Sequence, residues 1–340
     1  MNLGFIFIFL ELLILFFAFL NYKNNEFLKD VCSVVFIIIL TVLSGFRYNV
    51  GRDFMSYEIM YNDPDNYRNL FIEPIWIYFS KILHLFKISS TGWFLCTSFI
   101  INLFFILAIR RMSKNFYLSV AFYICIPQLY LESFNIVRQF VAMSIIFYWS
   151  YLFFEKRYIR FLFIIILASF FHTSALLLLP FFILSRLRIP NIILLLGIFV
   201  CFLLRNQFLS LVTAIGSVTP MYANYVKNPV ASESNSGLYA IVLLISSLFI
   251  IFRFWHVKLP EINILKQLSL FSFCVYLMFY TFQAGMRIGF YMLPYFILLI
   301  PYIKDKMKVN LAFYSIGIIF FTFFLFTLKS SLGILYFWRF

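Results

Sequence analysis

Apolar runs of spanning or near-spanning length succeed one another along almost the whole chain. They lie at about 3–20, 31–46, 91–109, 116–131, 135–154, 161–185, 190–205, 237–253, 267–283, 288–303 and 309–328. A helix needs roughly 17–25 apolar residues to cross the hydrocarbon of a bilayer, so the shorter runs imply tilted or re-entrant pieces. A soluble protein of 340 residues, 64% of them hydrophobic and 12% charged, could not hide this much apolar surface. A bilayer removes the need to. No polar block is long enough for a soluble domain. The expectation is a single all-α, polytopic transmembrane domain over residues 1–340, with about 10–12 transmembrane helices.

The formal net charge of +14 raises the question of nucleic acid. The basic residues come in twos and threes between apolar runs, as in Arg110-Arg111-Met112-Ser113-Lys114. Such clusters are topology signals, whereas a nucleic-acid footprint is one continuous basic face. Nucleic acid is therefore not an expected partner. Loops at 21–30, 110–114, 155–160, 186–188, 253–266 and 304–308 hold 16 of the 27 Lys and Arg residues and read as cytoplasmic. The polar stretches 47–70 and 206–236 then face outward. To keep that parity, 71–86 reads as an outer-surface or re-entrant helix. The run 161–185 reads as a bent hairpin with His172 near its turn, a straight helix being the rival. The first span has no basic leader and no small-residue cleavage site, which reads as uncleaved. The five cysteines form no CxxC and read as small buried hydrophobes.

Ionisable residues at membrane depth cost about 2.5–3.5 kcal/mol each, which marks them as functional candidates. Four groups stand out. Arg47, Arg52 and Asp53, with Tyr57 a turn later, lie in the first outer loop. The planar forks of two arginines suit phosphate oxygens, and snorkelling anchors with Asp53 as counter-ion are the alternative. Asn135, Arg138 and Gln139 open an apolar helix that Ser133 is placed to cap; otherwise they are a hydrogen-bonded helix start. His172 is either a hydrogen-bonded core residue or an intramembrane general base. Arg287, with Tyr291 one turn on, is a further outward anion site or an anchor. His84 and His256 are weaker candidates, and no histidine pair, HExxH or glycine-rich phosphate loop provides a metal or nucleotide site.

These stretches, in this order, resemble the EpsG-like, Wzy-type family of bacterial polysaccharide polymerases, which includes O-antigen polymerases. The matching positions are Arg47 with Val50-Gly51-Arg52-Asp53-Phe54 and Tyr57, then Glu73-Pro74, then Phe134-Asn135-Ile136-Val137-Arg138-Gln139 with Ala142. They continue with Ala168-Ser169-Phe170-Phe171-His172-Thr173-Ser174-Ala175 and end with Arg287 and Tyr291. Arg52 departs from the small polar residue more usual there. The resemblance implies a GT-C-like glycosyltransferase without metal or other cofactor, in the bacterial inner membrane. It would move a glycan from undecaprenyl diphosphate onto a lipid-linked repeat unit at the periplasmic face, with a chain-length regulator as partner. On that reading Arg47, Arg52, Arg138 and Arg287 bind diphosphate. His172, ahead of Asp53, is the base, and Tyr57, Glu73, Asn135, Gln139 and Tyr291 hold glycan or support the helix start. A flippase for the same lipid-linked oligosaccharide would use the same arginines but no base, and usually shows a repeated architecture that is not visible here. A membrane acyltransferase would be expected to carry a catalytic His or Arg in its first span, where residues 3–20 offer only Glu11.

Overall fold

A computed structural model describes residues 25–51, 53–66, 73–126, 128–207, 210, 236–279, 283–307 and 337–338. The expected spans 3–20 and 309–328, most of loop 206–236 and Arg52 lie outside the described residues. The chain divides into two compact units, one formed by residues 1–176 and 307–340, the other by 177–306.

The first unit is built on three helices long and apolar enough to cross a membrane: α1 (Glu26–Gly45), α4 (Ser90–Met112) and α6 (Val137–Trp149), which α7 (Tyr151–Phe154) continues. The side chain of Asn25 accepts from the Leu28 N–H and caps α1. Gly45 lets α1 meet α4, because a Cβ there would lie 2.5 Å from the Leu95 side chain. Buried polar groups pin this crossing. Asn102 of α4 donates to Ser44 Oγ at 3.3 Å and accepts from the Tyr123 hydroxyl at 3.1 Å. The Tyr130 hydroxyl donates to the Leu40 carbonyl at 2.7 Å. At the other end of the pair, Arg110 bridges Glu26 at 2.7 Å and Asp30 at 2.9 Å.

Shorter elements fill the gaps between these spans. They are α2 (Phe54–Asn62), α3 (Pro74–Leu85), α5 (Phe116–Cys125) and α8 (Tyr158–Ser169). At 12 residues α3 is about 18 Å long, too short to span. A two-residue strand β1 (Arg47–Tyr48) pairs antiparallel with β2 (Phe337–Trp338).

In two places the expected elements differ. The run 116–131 is helical only to Cys125, and a 3₁₀ turn, Glu132–Phe134, follows. Ser133 does not cap α6. Its hydroxyl bonds back to the Tyr130 carbonyl at 2.6 Å, and the helix starts at Val137, after Ile136. Asn135 closes the 3₁₀ turn, its N–H donating to the Glu132 carbonyl at 3.0 Å, so it stands outside the helix that carries Arg138. The run 161–185 is interrupted near His172, where the hairpin reading puts its turn. It breaks at Phe170–His172, then continues as a 3₁₀ stretch, Thr173–Leu178, and α9 (Leu179–Arg186).

The second unit packs α10 (Asn191–Leu203), α11 (Ser236–Arg253) and α13 (Gln283–Phe290) around α12 (Pro260–Met278), with α14 (Pro294–Met307) following. Ser272 of α12 donates to the Gly289 carbonyl at 2.8 Å, and a Cβ at Gly289 would lie 3.2 Å from the Ser272 carbonyl oxygen and 3.3 Å from the Tyr276 ring, closer than ordinary contact. Large apolar side chains such as Phe163, Ile183, Leu196 and Leu203 are exposed along these shorter helices. That is the surface a lipid solvent covers.

Candidate functional site

Glu73 is the hub. Pro74 opens α3 and forces the preceding residue into an extended conformation, φ −58° and ψ 126°. The Glu73 side chain makes no cap on its own helix. Its two oxygens are divided between distant stretches of the first unit. Oε1 meets His172 Nδ1 at 2.9 Å and accepts the Thr173 N–H at 3.2 Å, while Oε2 accepts from Arg138 Nη1. Both partners are partly exposed, the side chain of Arg138 to 24% and that of His172 to 22%, against 6% for Glu73. The carboxylate is shielded; the two groups it holds are reachable.

The break at the end of α8 presents His172. The Phe171 and His172 N–H groups both donate to the Ala168 carbonyl, and the Trp76 indole N–H holds the Phe171 carbonyl at 2.8 Å. Burial alone would raise the Glu73 carboxyl, but the hydrogen bond to His172 and the charge of Arg138 outweigh it and hold the group at about 2. An ionised carboxylate can only accept. His172 therefore donates through Nδ1, which turns Nε2 away from Glu73 as the ring's second functional atom.

Arg138 sits in the first turn of α6 and also donates to the Tyr57 side chain. Tyr57 stacks on Trp93 with centroids 5.5 Å apart, Trp93 lies 5.7 Å from Trp76, and Trp76 lies 6.0 Å from Phe171. A largely buried aromatic wall thus backs Glu73, Arg138 and His172.

Arg47 is placed differently. It is 4% exposed, and its guanidinium bonds the Ser44 carbonyl, Ser98 Oγ at 3.5 Å and the Phe134 carbonyl at 3.5 Å. It also lies 4.5 Å over the Phe94 ring and 5.2 Å over Phe134. Burial lowers it to about 10, so it remains a cation at neutral pH. Gly51 completes this junction. Its φ is +100°, and a Cβ would sit 2.8 Å from both Asn135 Oδ1 and the Phe134 carbonyl oxygen. Asn135 is buried and donates to Glu132 at 3.1 Å. The first loop and the 3₁₀ turn before α6 are in this way pressed backbone to backbone.

Of the remaining expected residues, Asp53 is half-buried just before α2, its carbonyl accepting the Tyr57 N–H at 3.0 Å. Gln139 is buried in α6. Arg287 on α13 and Tyr291 just after it belong to the second unit, Arg287 half-buried and Tyr291 buried. His84 is exposed and meets Tyr61 edge-on at 4.4 Å. Among the described residues, no three His, Cys, Asp or Glu side chains converge as metal ligands would. The sequence points to Glu73 only as glycan or helix-start support and gives no role to Trp76 or Trp93. The available signal was a lone carboxylate among apolar residues, Phe71-Ile72-Glu73-Pro74-Ile75-Trp76, where an ionisable group asks for a partner.

The family model of the EpsG family matches residues 30–337. The chain belongs to the EpsG family. This makes it a polysaccharide-polymerase-like membrane protein, and all the motifs above fall inside the matched span. No curated protein and no solved structure matches the EpsG-family chain.

Proposed function

We propose that this EpsG-family protein is a Wzy-type polysaccharide polymerase with a GT-C-like architecture. It transfers a glycan from undecaprenyl diphosphate onto a lipid-linked repeat unit at the periplasmic face of the bacterial inner membrane. The supporting observation is that one shielded carboxylate, Glu73, holds a reachable imidazole and a reachable guanidinium together. In this reading the acceptor sugar's hydroxyl gives its proton to His172 Nε2 as its oxygen bonds to the anomeric carbon. The bond from that carbon to the diphosphate oxygen breaks, and its electron pair leaves with the diphosphate. Charge develops on that oxygen in the transition state, where the Arg138 donors not engaged by Glu73 stabilise it. Glu73 fixes the imidazole tautomer and orientation and does not itself take the proton. Arg47 braces the loop, Tyr57 meets Arg138, Asp53 is the second candidate for the base, and Arg287 enters as a diphosphate ligand through the resemblance alone. A chain-length regulator is the expected protein partner.

The test is separate replacement of Arg138 and His172 by alanine in the native host, with surface glycan resolved by length and membrane levels of each variant measured. Loss of the long ladder, with single repeats retained on the lipid anchor, supports polymerisation. If no repeat reaches the surface, the defect lies in export and the polymerase reading fails in favour of a flippase.

A further inference from the structure

The second unit buries a cation of its own, far in character from the charge cluster just described. Lys266 of α12 is 3% exposed, and its Nζ donates to Asn191 Oδ1 at 2.7 Å. An ammonium has three donors, and here one neutral amide is the acceptor. No Asp or Glu among the described residues pairs with it. A buried charge without a counter-charge costs several kcal/mol. Arg110 has Glu26 and Asp30, Arg138 has Glu73, and the buried Arg47, which has no carboxylate, spreads its charge over two carbonyls, a serine and two phenylalanine rings, whereas Lys266 has a single amide.

The surroundings of Lys266 are ordered and converge from three directions. Asn191 also donates to the Trp255 carbonyl at 2.8 Å, and Gln267 Nε2 donates to the Leu187 carbonyl at 2.8 Å. The first turn of α10, the loop after α11 and the first half of α12 are thereby tied at one point. Asn191 is the first residue of α10, whose N-terminus carries the positive end of the helix dipole. Arg188 and Lys258, both exposed, flank the tied segments. So do exposed apolar side chains, Ile192, Phe252 and Leu259, with Phe252 stacked on Trp255 at 5.9 Å. These loops, 186–188 and 253–266, are the ones whose charge reads as cytoplasmic.

We propose that Lys266, with Asn191 beside it and Arg188 and Lys258 at the rim, forms a binding site for the phosphate of an anionic membrane phospholipid. The phosphate supplies the missing counter-charge, and the acyl chains cover the apolar rim. Arg188 and Lys258 favour a net-negative headgroup over a zwitterionic one. Free inorganic phosphate carries the same chemistry without the chains.

The full-length protein, purified in a zwitterionic-lipid-free detergent, would be titrated with phosphatidylglycerol, phosphatidylcholine or inorganic phosphate while thermal unfolding is followed. Phosphatidylglycerol is expected to raise the unfolding temperature saturably and more than phosphatidylcholine. Lys266→Met is expected to unfold no earlier than wild type without ligand, because it removes an uncompensated charge, and to lose at least tenfold in apparent affinity (about 1.4 kcal/mol). Equal stabilisation by inorganic phosphate would assign the site to the free anion. Equal stabilisation of wild type and Lys266→Met, or of neither, overturns the site. If Lys266→Met does not fold, Asn191→Asp answers instead. It provides a carboxylate in place, so it should unfold later than wild type without ligand and no longer respond to phosphatidylglycerol. An undiminished response there also overturns the proposal.

Discussion

Arg47 and Arg138 come from two motifs that the sequence treats alike, an arginine at one end of an apolar run, and the fold uses them in opposite ways. Arg47 spends its donors on two backbone carbonyls and a serine, sandwiched against phenylalanine rings. Arg138 spends one nitrogen on a carboxylate that also holds His172, and about a quarter of its side chain stays open. A cation satisfied by carbonyls fixes backbone to backbone. A cation satisfied by a shared carboxylate can be poised against a second reactive group and still face a ligand.

The comparison breaks most sharply at Glu73. Glu73→Gln keeps the shape but removes the charge that sets the imidazole tautomer, a change that costs a catalytic histidine on the order of 10⁴-fold. Long glycan should vanish, and Arg138 should lose its counter-ion, lowering membrane levels as well. His172→Ala should cost about 10²–10⁴-fold in polymer formation with membrane levels near wild type, since the residue is partly exposed. If His172→Ala instead lost the protein and kept the ladder in what remained, His172 would be a packing residue and the contrast with Arg47 would fail.

Arg47→Met should do the reverse. It leaves the buried Phe134 carbonyl short of a donor, costing about 1–3 kcal/mol of stability, while the protein that folds still makes long glycan. Thermal unfolding together with ladder length per folded molecule separates the two outcomes. Gly51→Ala should act in the same direction and by a similar amount, about 1–3 kcal/mol, from the positive φ and the close approach to Asn135 and the Phe134 carbonyl. Its unfolding temperature should fall below that of wild type, again with long glycan retained.

The membrane-spanning core was legible because hydropathy is local: α1, α4 and the α6–α7 helix all fall where apolar length predicts them. The interruption near His172 was legible too, because both ends of the run 161–185 carry basic residues. The end of the 116–131 helix at Cys125 was not, and the Tyr130 hydroxyl that anchors the following segment on the Leu40 carbonyl is a contact residue spacing does not reveal. The same applies to the cluster. His172 and Arg138 were identifiable because a polar group in an apolar run asks for a reason. Glu73 lies between Phe71-Ile72 and Pro74-Ile75-Trp76, in a short segment that reads as a surface or re-entrant helix, and its partners are 65 and 99 residues away. Arg47 was misleading for the complementary reason. Its residue type is that of an anion ligand, and only the fold reveals that carbonyls and rings already surround it.

A pH effect sharpens the comparison through stability alone. Glu73 is depressed from an ordinary 4.5 to about 2. A depressed carboxyl gives stability that is fully present above the unfolded value and is lost as pH falls toward the folded one. The contribution is of order 3 kcal/mol at neutral pH and should fade between about pH 4.5 and 2. Thermal unfolding of the detergent-purified protein across that window should show a falling stability that Glu73→Gln flattens. Arg47→Met should keep the wild-type slope, because no carboxylate is among the partners of Arg47. If Arg47→Met flattened the curve as Glu73→Gln does, the two arginines would share one electrostatic network. The division between a structural and a poised cation would then have to be abandoned.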